Sequence, residues 1–179
     1  MNKARFHQQC RAISEHLDKE DFHSAHQQAI ELRIKLSSES LTSPKQLSHC
    51  IYLELQALAA LREWDGFVEM MDEFKTNLTD LDETSDTLIK TQMMTALAEI
   101  GRGTEIPEWG MTLCTEYLLQ EEFDSFKRCV EDTRQLLEKS EHGFLISGFE
   151  QEIAQKLSQF ECETVNDLMD SLLIRLKNK

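Results

Sequence analysis

The chain has 179 residues, of which 40% are hydrophobic and 29% charged, with only two prolines and six glycines. That is long enough for a sizeable core and poor in turn formers for an all-β chain, so long helices with short connections are expected. A formal net charge of −14, from 33 acidic and 19 basic residues, disfavours nucleic acid and anionic membrane surfaces and favours a basic partner.

Residues 3–18 carry Phe6, Cys10, Ile13 and Leu17 at three- and four-residue steps, the apolar stripe of a first helix. Lys19-Glu20-Asp21 breaks it. Residues 21–37 carry Phe22, Ala25, Ala29, Leu32 and Leu36 on a second, where the two alanines allow a neighbour to come close. The short break makes the pair antiparallel. Ser43 can cap a third helix over 44–62, with Pro44 suited to its first turn and Gln46 completing a capping-box pattern. This helix is apolar on most sides, through Leu47, Cys50, Ile51, Leu53, Leu55, Ala57, Leu58 and Leu61. It should be central and buried.

Trp64, Phe67, Met71, Phe74 and Leu78 stripe a fourth helix. The acidic linker Asp80, Asp82, Glu83 and Asp86 suits the start of a fifth, capped at Thr84 or Ser85. The fifth carries Leu88, Ile89, Met93, Leu97 and Ile100 and is stopped by Gly101. A sixth opens at Thr104-Glu105-Ile106-Pro107, and Phe123 to Leu137 gives a seventh. After a break at His142-Gly143, Leu145 to Phe160 gives an eighth. Thr164 and Asp167 cap a ninth, which ends in basic Arg175, Lys177 and Lys179.

Three elbows match in kind. Phe22, Trp64 and Phe123 each follow a short polar turn, with Ala25, Phe67 and Phe126 three positions later. The aromatics lie 42 and 59 residues apart, so one additional helix is expected between the second and third elbows. The arrangement resembles the tetratricopeptide repeat family over residues 3–138. Phe22, Trp64 and Phe123 match the aromatic that starts the repeat's second helix, and Ala25 the small residue after it. Phe67 and Phe126 depart from that small residue. Ile13, Leu55 and Cys114 stand where the first helix would carry another small residue, and no proline closes a repeat. The resemblance implies an all-α fold of about nine antiparallel helices stacked as helical hairpins in a right-handed superhelix. The whole chain, 1–179, would form a single domain, with 142–179 as C-terminal capping helices. A generic helical bundle is the competing fold.

Chemistry-bearing motifs are sparse. Five of the six histidines fall within the first 49 residues, and His23 and His26 could share a metal, but no third ligand completes a recognised spacing. They read as solvated polar groups. No nucleophile, metalloprotease or phosphate-loop pattern occurs. The expectation is no enzyme, no catalytic residue, no metal and no cofactor. Met70, Met71, Met93 and Met94 read either as an adaptable groove or, preferably, as core filling. The cysteines at 10, 50, 114, 129 and 162 are odd in number and lack a C-x-x-C pair. They fit a reducing compartment. With no apolar N-terminal run and no stretch of membrane-spanning length, the expected location is the cytoplasm.

The family geometry lines a concave face with the first helix of each pair, which in the central pair puts His49, Tyr52 and Gln56 toward the groove. Tyr52 is expected to be exposed. The leading reading is a protein-interaction module, a chaperone or regulatory adaptor, that binds a basic or amphipathic protein segment or peptide. The alternative is a self-associating homodimer using the ninth helix, Phe144 and Phe149. A bundle-pocket enzyme is a third reading, which the lack of motifs disfavours.

Overall fold

A computed structural model describes residues 2–38 and 43–159, the side chain of Thr79 excepted. Eight α-helices follow one another: α1 (Lys3–Asp18), α2 (Phe22–Ser38), α3 (Pro44–Leu61), α4 (Trp64–Phe74), α5 (Glu83–Glu99), α6 (Ile106–Leu119), α7 (Phe123–Lys139) and α8 (Ile146–Leu157). Short 3-10 segments occupy Lys75–Asp80, Gly103–Glu105 and Gly143–Leu145. The described residues contain no strand, so the chain is all-α, as its composition requires. The ninth helix expected from Thr164 lies outside the described residues. No helix among the described residues is long and apolar enough to cross a membrane.

Five helix ends share one geometry. Glu20, Arg62, Gly101, Glu121 and Glu141 adopt φ between 58° and 75°. At each, the residue's N–H donates to a carbonyl three back, and the next N–H to a carbonyl five back. Arg62 to Ala59 at 3.1 Å and Glu63 to Leu58 at 3.0 Å are one example. This is the Schellman closure, which satisfies the last helical carbonyls. Only Gly101 adopts the left-handed conformation without a Cβ penalty. At the first, second and fourth of these ends the chain re-enters a helix two residues later, at Phe22, Trp64 and Phe123. The aromatic elbows are therefore left-handed caps. The other two lead through a 3-10 turn into Ile106 and Ile146, forty residues apart. This second kind of elbow, with its Gly-x-x-Ile pattern, escapes an alignment made on aromatics.

Three local expectations change. Asp82 caps α5 in place of Thr84 or Ser85, its Oδ1 accepting from the Ser85 N–H at 3.1 Å and its Oδ2 from the Ser85 hydroxyl at 2.8 Å. Those bonds hold the Asp82 carboxyl below the usual carboxylate range. Ser43 has the extended backbone of a cap, with Pro44 behind it, but its side chain makes no capping bond. The fourth helix gives way to a 3-10 segment after Phe74, where Thr76, Asn77 and Asp80 offer the backbone competing partners.

A single domain is expected over 1–179. The structure clusters into two compact units, Met1–Ala96 and Leu97–Lys179, and the division falls inside α5. In the first unit α3 is the hub, packed by α1, α2, α4 and the Lys75–Asp80 segment. Cys50, Ile51, Leu53, Leu55, Ala57 and Leu58 are all buried, so its apolar girth is used. Ala25 and Ala29 are fully buried, and the Cys50 thiol donates to the Ala29 carbonyl at 3.5 Å. Small side chains let α2 and α3 cross closely. Met70, Met71, Met93 and Met94 are buried and fill the core, so they line no groove. Glu54 is buried too, held by Arg33 through Nε at 2.7 Å and Nη2 at 3.1 Å. The Arg33 guanidinium lies 5.0 Å from the Phe74 ring centroid. This bidentate contact raises the Arg33 pKa further and ties α2 to α3 and α4.

In the second unit α6 packs on α7 and α8. A Cβ at Gly110 would meet Thr133 Oγ1 at 2.6 Å and Cγ2 at 2.8 Å, so only glycine permits this crossing. The Cys129 thiol points at the Gly110 carbonyl, 3.8 Å away. Phe126 and Phe149 are core residues, which removes Phe149 from any surface contact between copies. Phe144 remains 74% exposed. Arg134 Nε lies 3.2 Å from Oε1 of buried Glu150.

Candidate functional site

The first turns of α1 and α3 meet at one end of the first unit and enclose a cleft of about 820 Å3 with the Asp80–Asp82 turn. Its geometry follows from the local sequence. Asn2 caps α1, its Oδ1 accepting from the Arg5 N–H at 2.9 Å, which sets Lys3 and His7 one turn apart on the cleft side. Pro44 starts α3, so Lys45 and His49, four apart, project the same way. Asp80 and Asp82 complete the wall.

An aromatic row starts in the cleft, with Phe6 and His49, and leads to Tyr52 against the core. Buried Phe6 meets His49 edge-on with centroids 6.2 Å apart, and His49 stacks on Tyr52 at 6.2 Å and 24°. The desolvation this causes pushes the His49 pKa down. The nearby Asp82 charge opposes that shift and His7 adds to it. The imidazole is thus held neutral to lower pH than a free histidine.

The three residues expected at a groove fare differently. His49 lines the cleft. Tyr52, expected to be exposed, is half-buried because its ring packs against the core formed by α1, α2 and α3. Gln56 exchanges reciprocal amide bonds with Gln92 of α5, at 2.9 Å and 3.2 Å, and does not line the cleft. Lys3, His7, Lys45, Asp80 and Asp82 were not singled out as site residues. The available signal was the four-residue spacing of Lys3 with His7 and of Lys45 with His49, beside the apolar stripe.

Two ammonium groups, two imidazoles and two carboxylates over an aromatic floor can recognise a ligand by charge, hydrogen bonding and stacking. Asp82 has already committed its oxygens to Ser85. Among the described residues, no group of three or more His, Cys, Asp or Glu side chains could hold a metal ion. Cys10, Cys50, Cys114 and Cys129 are free and buried. Burial pushes the Cys10 thiol up to about 11 and raises Cys50 as well, which makes both poor nucleophiles. Compared with known proteins, the chain matches no family model, no curated protein and no solved structure.

Proposed function

We propose that the chain is a non-enzymatic protein-interaction module, a tetratricopeptide-like helical repeat that takes a partner segment between the first helices of successive pairs. The observation that carries this reading is the α1–α3 cleft, with Phe6 and His49 beside Lys3, Lys45, Asp80 and Asp82. An aromatic floor with both signs of charge at its rim suits an amphipathic protein segment. The packing of α1 on both α2 and α3, and of α6 on both α7 and α8, also supports it, since this neighbour pattern recurs in stacked hairpins. The acidic chain favours a basic partner. Chaperone and regulatory adaptor are both roles of this kind, in the cytoplasm.

The test is affinity capture with the full chain as bait, against His49→Ala combined with Lys45→Ala. Tyr52→Phe, which keeps the packing, serves as the folded control. Loss of specific partners in the double variant, with its melting temperature retained, is expected. An unchanged partner list overturns the cleft assignment. A homodimer is the second reading, favoured by exposed Phe144 and Leu119. Light scattering across a concentration series decides it, and a strict monomer removes it.

A further inference from the structure

Among the described residues, one face of α6 is not used by the core. Pro107, Met111 and Thr115, half-buried at four-residue steps, line an open groove of about 730 Å3 that Glu152 and Lys156 of α8 border on the other side. The Thr115 hydroxyl donates to the Met111 carbonyl at 2.7 Å, and the Thr112 hydroxyl to the Glu108 carbonyl at 2.9 Å. These hydroxyls are spent on their own helix. The floor left to a ligand is a proline ring, a thioether and threonine carbon, which adapts to an apolar side chain. Among the described residues, Glu108, Glu116 and Glu152 border it, against the single cation Lys156.

We propose that this groove binds an extended segment of a partner protein in which two basic residues flank an apolar one. The charge complement is direct: three carboxylates border an apolar floor, on a chain of net charge −14. The spacing fits as well. Glu108 and Glu116 are two turns apart, about 12 Å along the axis. Basic residues four apart in an extended chain span about 13 Å. Met111 lies between them, opposite the apolar residue. The site extends the proposed function to the second unit and does not depend on the α1–α3 cleft.

The probe is a fluorescein-labelled peptide of Lys-Ala-Leu-Ala-Lys units, titrated with the full chain and read by anisotropy. The variant Glu108→Gln/Glu116→Gln/Glu152→Gln should weaken binding about tenfold or more. The control Glu15→Gln/Glu31→Gln/Glu69→Gln removes the same charge from exposed positions of the first unit and should change it less than about twofold. Circular dichroism checks that both fold. The Met111 methyl resonance, identified through Met111→Leu, should move as peptide is added. Equal weakening in both triple variants would show that the peptide reads net charge alone and overturns the proposal, as does a Met111 resonance that stays still while peptide binds.

Discussion

The face shared by α1 and α3 carries two lysines, two histidines and two aspartates over aromatic rings. The face shared by α6 and α8 carries three glutamates and one lysine over Pro107 and Met111. The first borrows buried Phe6 from the core stripe of α1, whereas the second is floored by the half-buried Pro107, Met111 and Thr115. The two units thus carry clefts of unlike chemistry, because the stripe that holds a unit together leaves side chains outside it free to vary. The cores also differ. The first unit closes its helix crossing with Ala25 and Ala29 and staples a buried glutamate bidentately. The second closes with Gly110 against Thr133.

Substitutions can break or sharpen that contrast. Phe67→Ala in the first unit and Phe126→Ala in the second each empty a fully enclosed site, and each should cost about 3–5 kcal/mol by urea denaturation. Amide hydrogen exchange should place the loss of protection in the unit that carries the change. Trp64, only half-buried and edge-on to Phe67, should matter less than Phe67. Arg33→Ala strands the Glu54 carboxylate and should cost about 3 kcal/mol, with most of that recovered in Arg33→Met/Glu54→Leu. If the single and double variants are equally unstable, packing of Arg33 on Phe74 dominates over the ion pair. Gly110→Ala forces a methyl into Thr133 and should cost about 1–3 kcal/mol, relieved by Thr133→Ala.

The pH dependence should separate the two units. His49 has a folded pKa below its unfolded value, so the unfolded chain binds the proton more readily. Its contribution is complete above about pH 6.5 and is lost as pH falls through the lower folded value. Denaturation midpoints should therefore decline with acidification over that window, and His49→Gln should flatten the decline. The smallest effect is expected at the caps. Arg62→Gly relieves a left-handed residue and should raise stability by less than about 1 kcal/mol, after the entropy that glycine adds to the unfolded chain.

The helices were legible because their stripes are long and regular: α1, α2 and α7 begin and end within a residue or two of the periodic pattern. The shortened α4 and the Asp82 cap were not, since short polar side chains decide such ends by local hydrogen bonds that periodicity does not encode. His49 was placed toward a groove by helical spacing, and it lines the α1–α3 cleft. Gln56 was placed with it by helical spacing alone, and only the approach of α5 reveals its bond to Gln92. Lys3, His7 and Lys45 share one cleft only because the starts of α1 and α3, some forty residues apart, come together.

Site-specific photocrosslinking tests the central claim most directly. A photoreactive phenylalanine analogue replaces His49 in the cleft or, as control, Glu31 on the exposed side of α2, in the full chain within its native cell. A discrete crosslinked protein from position 49 and none from position 31 is the predicted result. The same products from both positions, or a product from position 31 alone, would contradict a binding surface between α1 and α3.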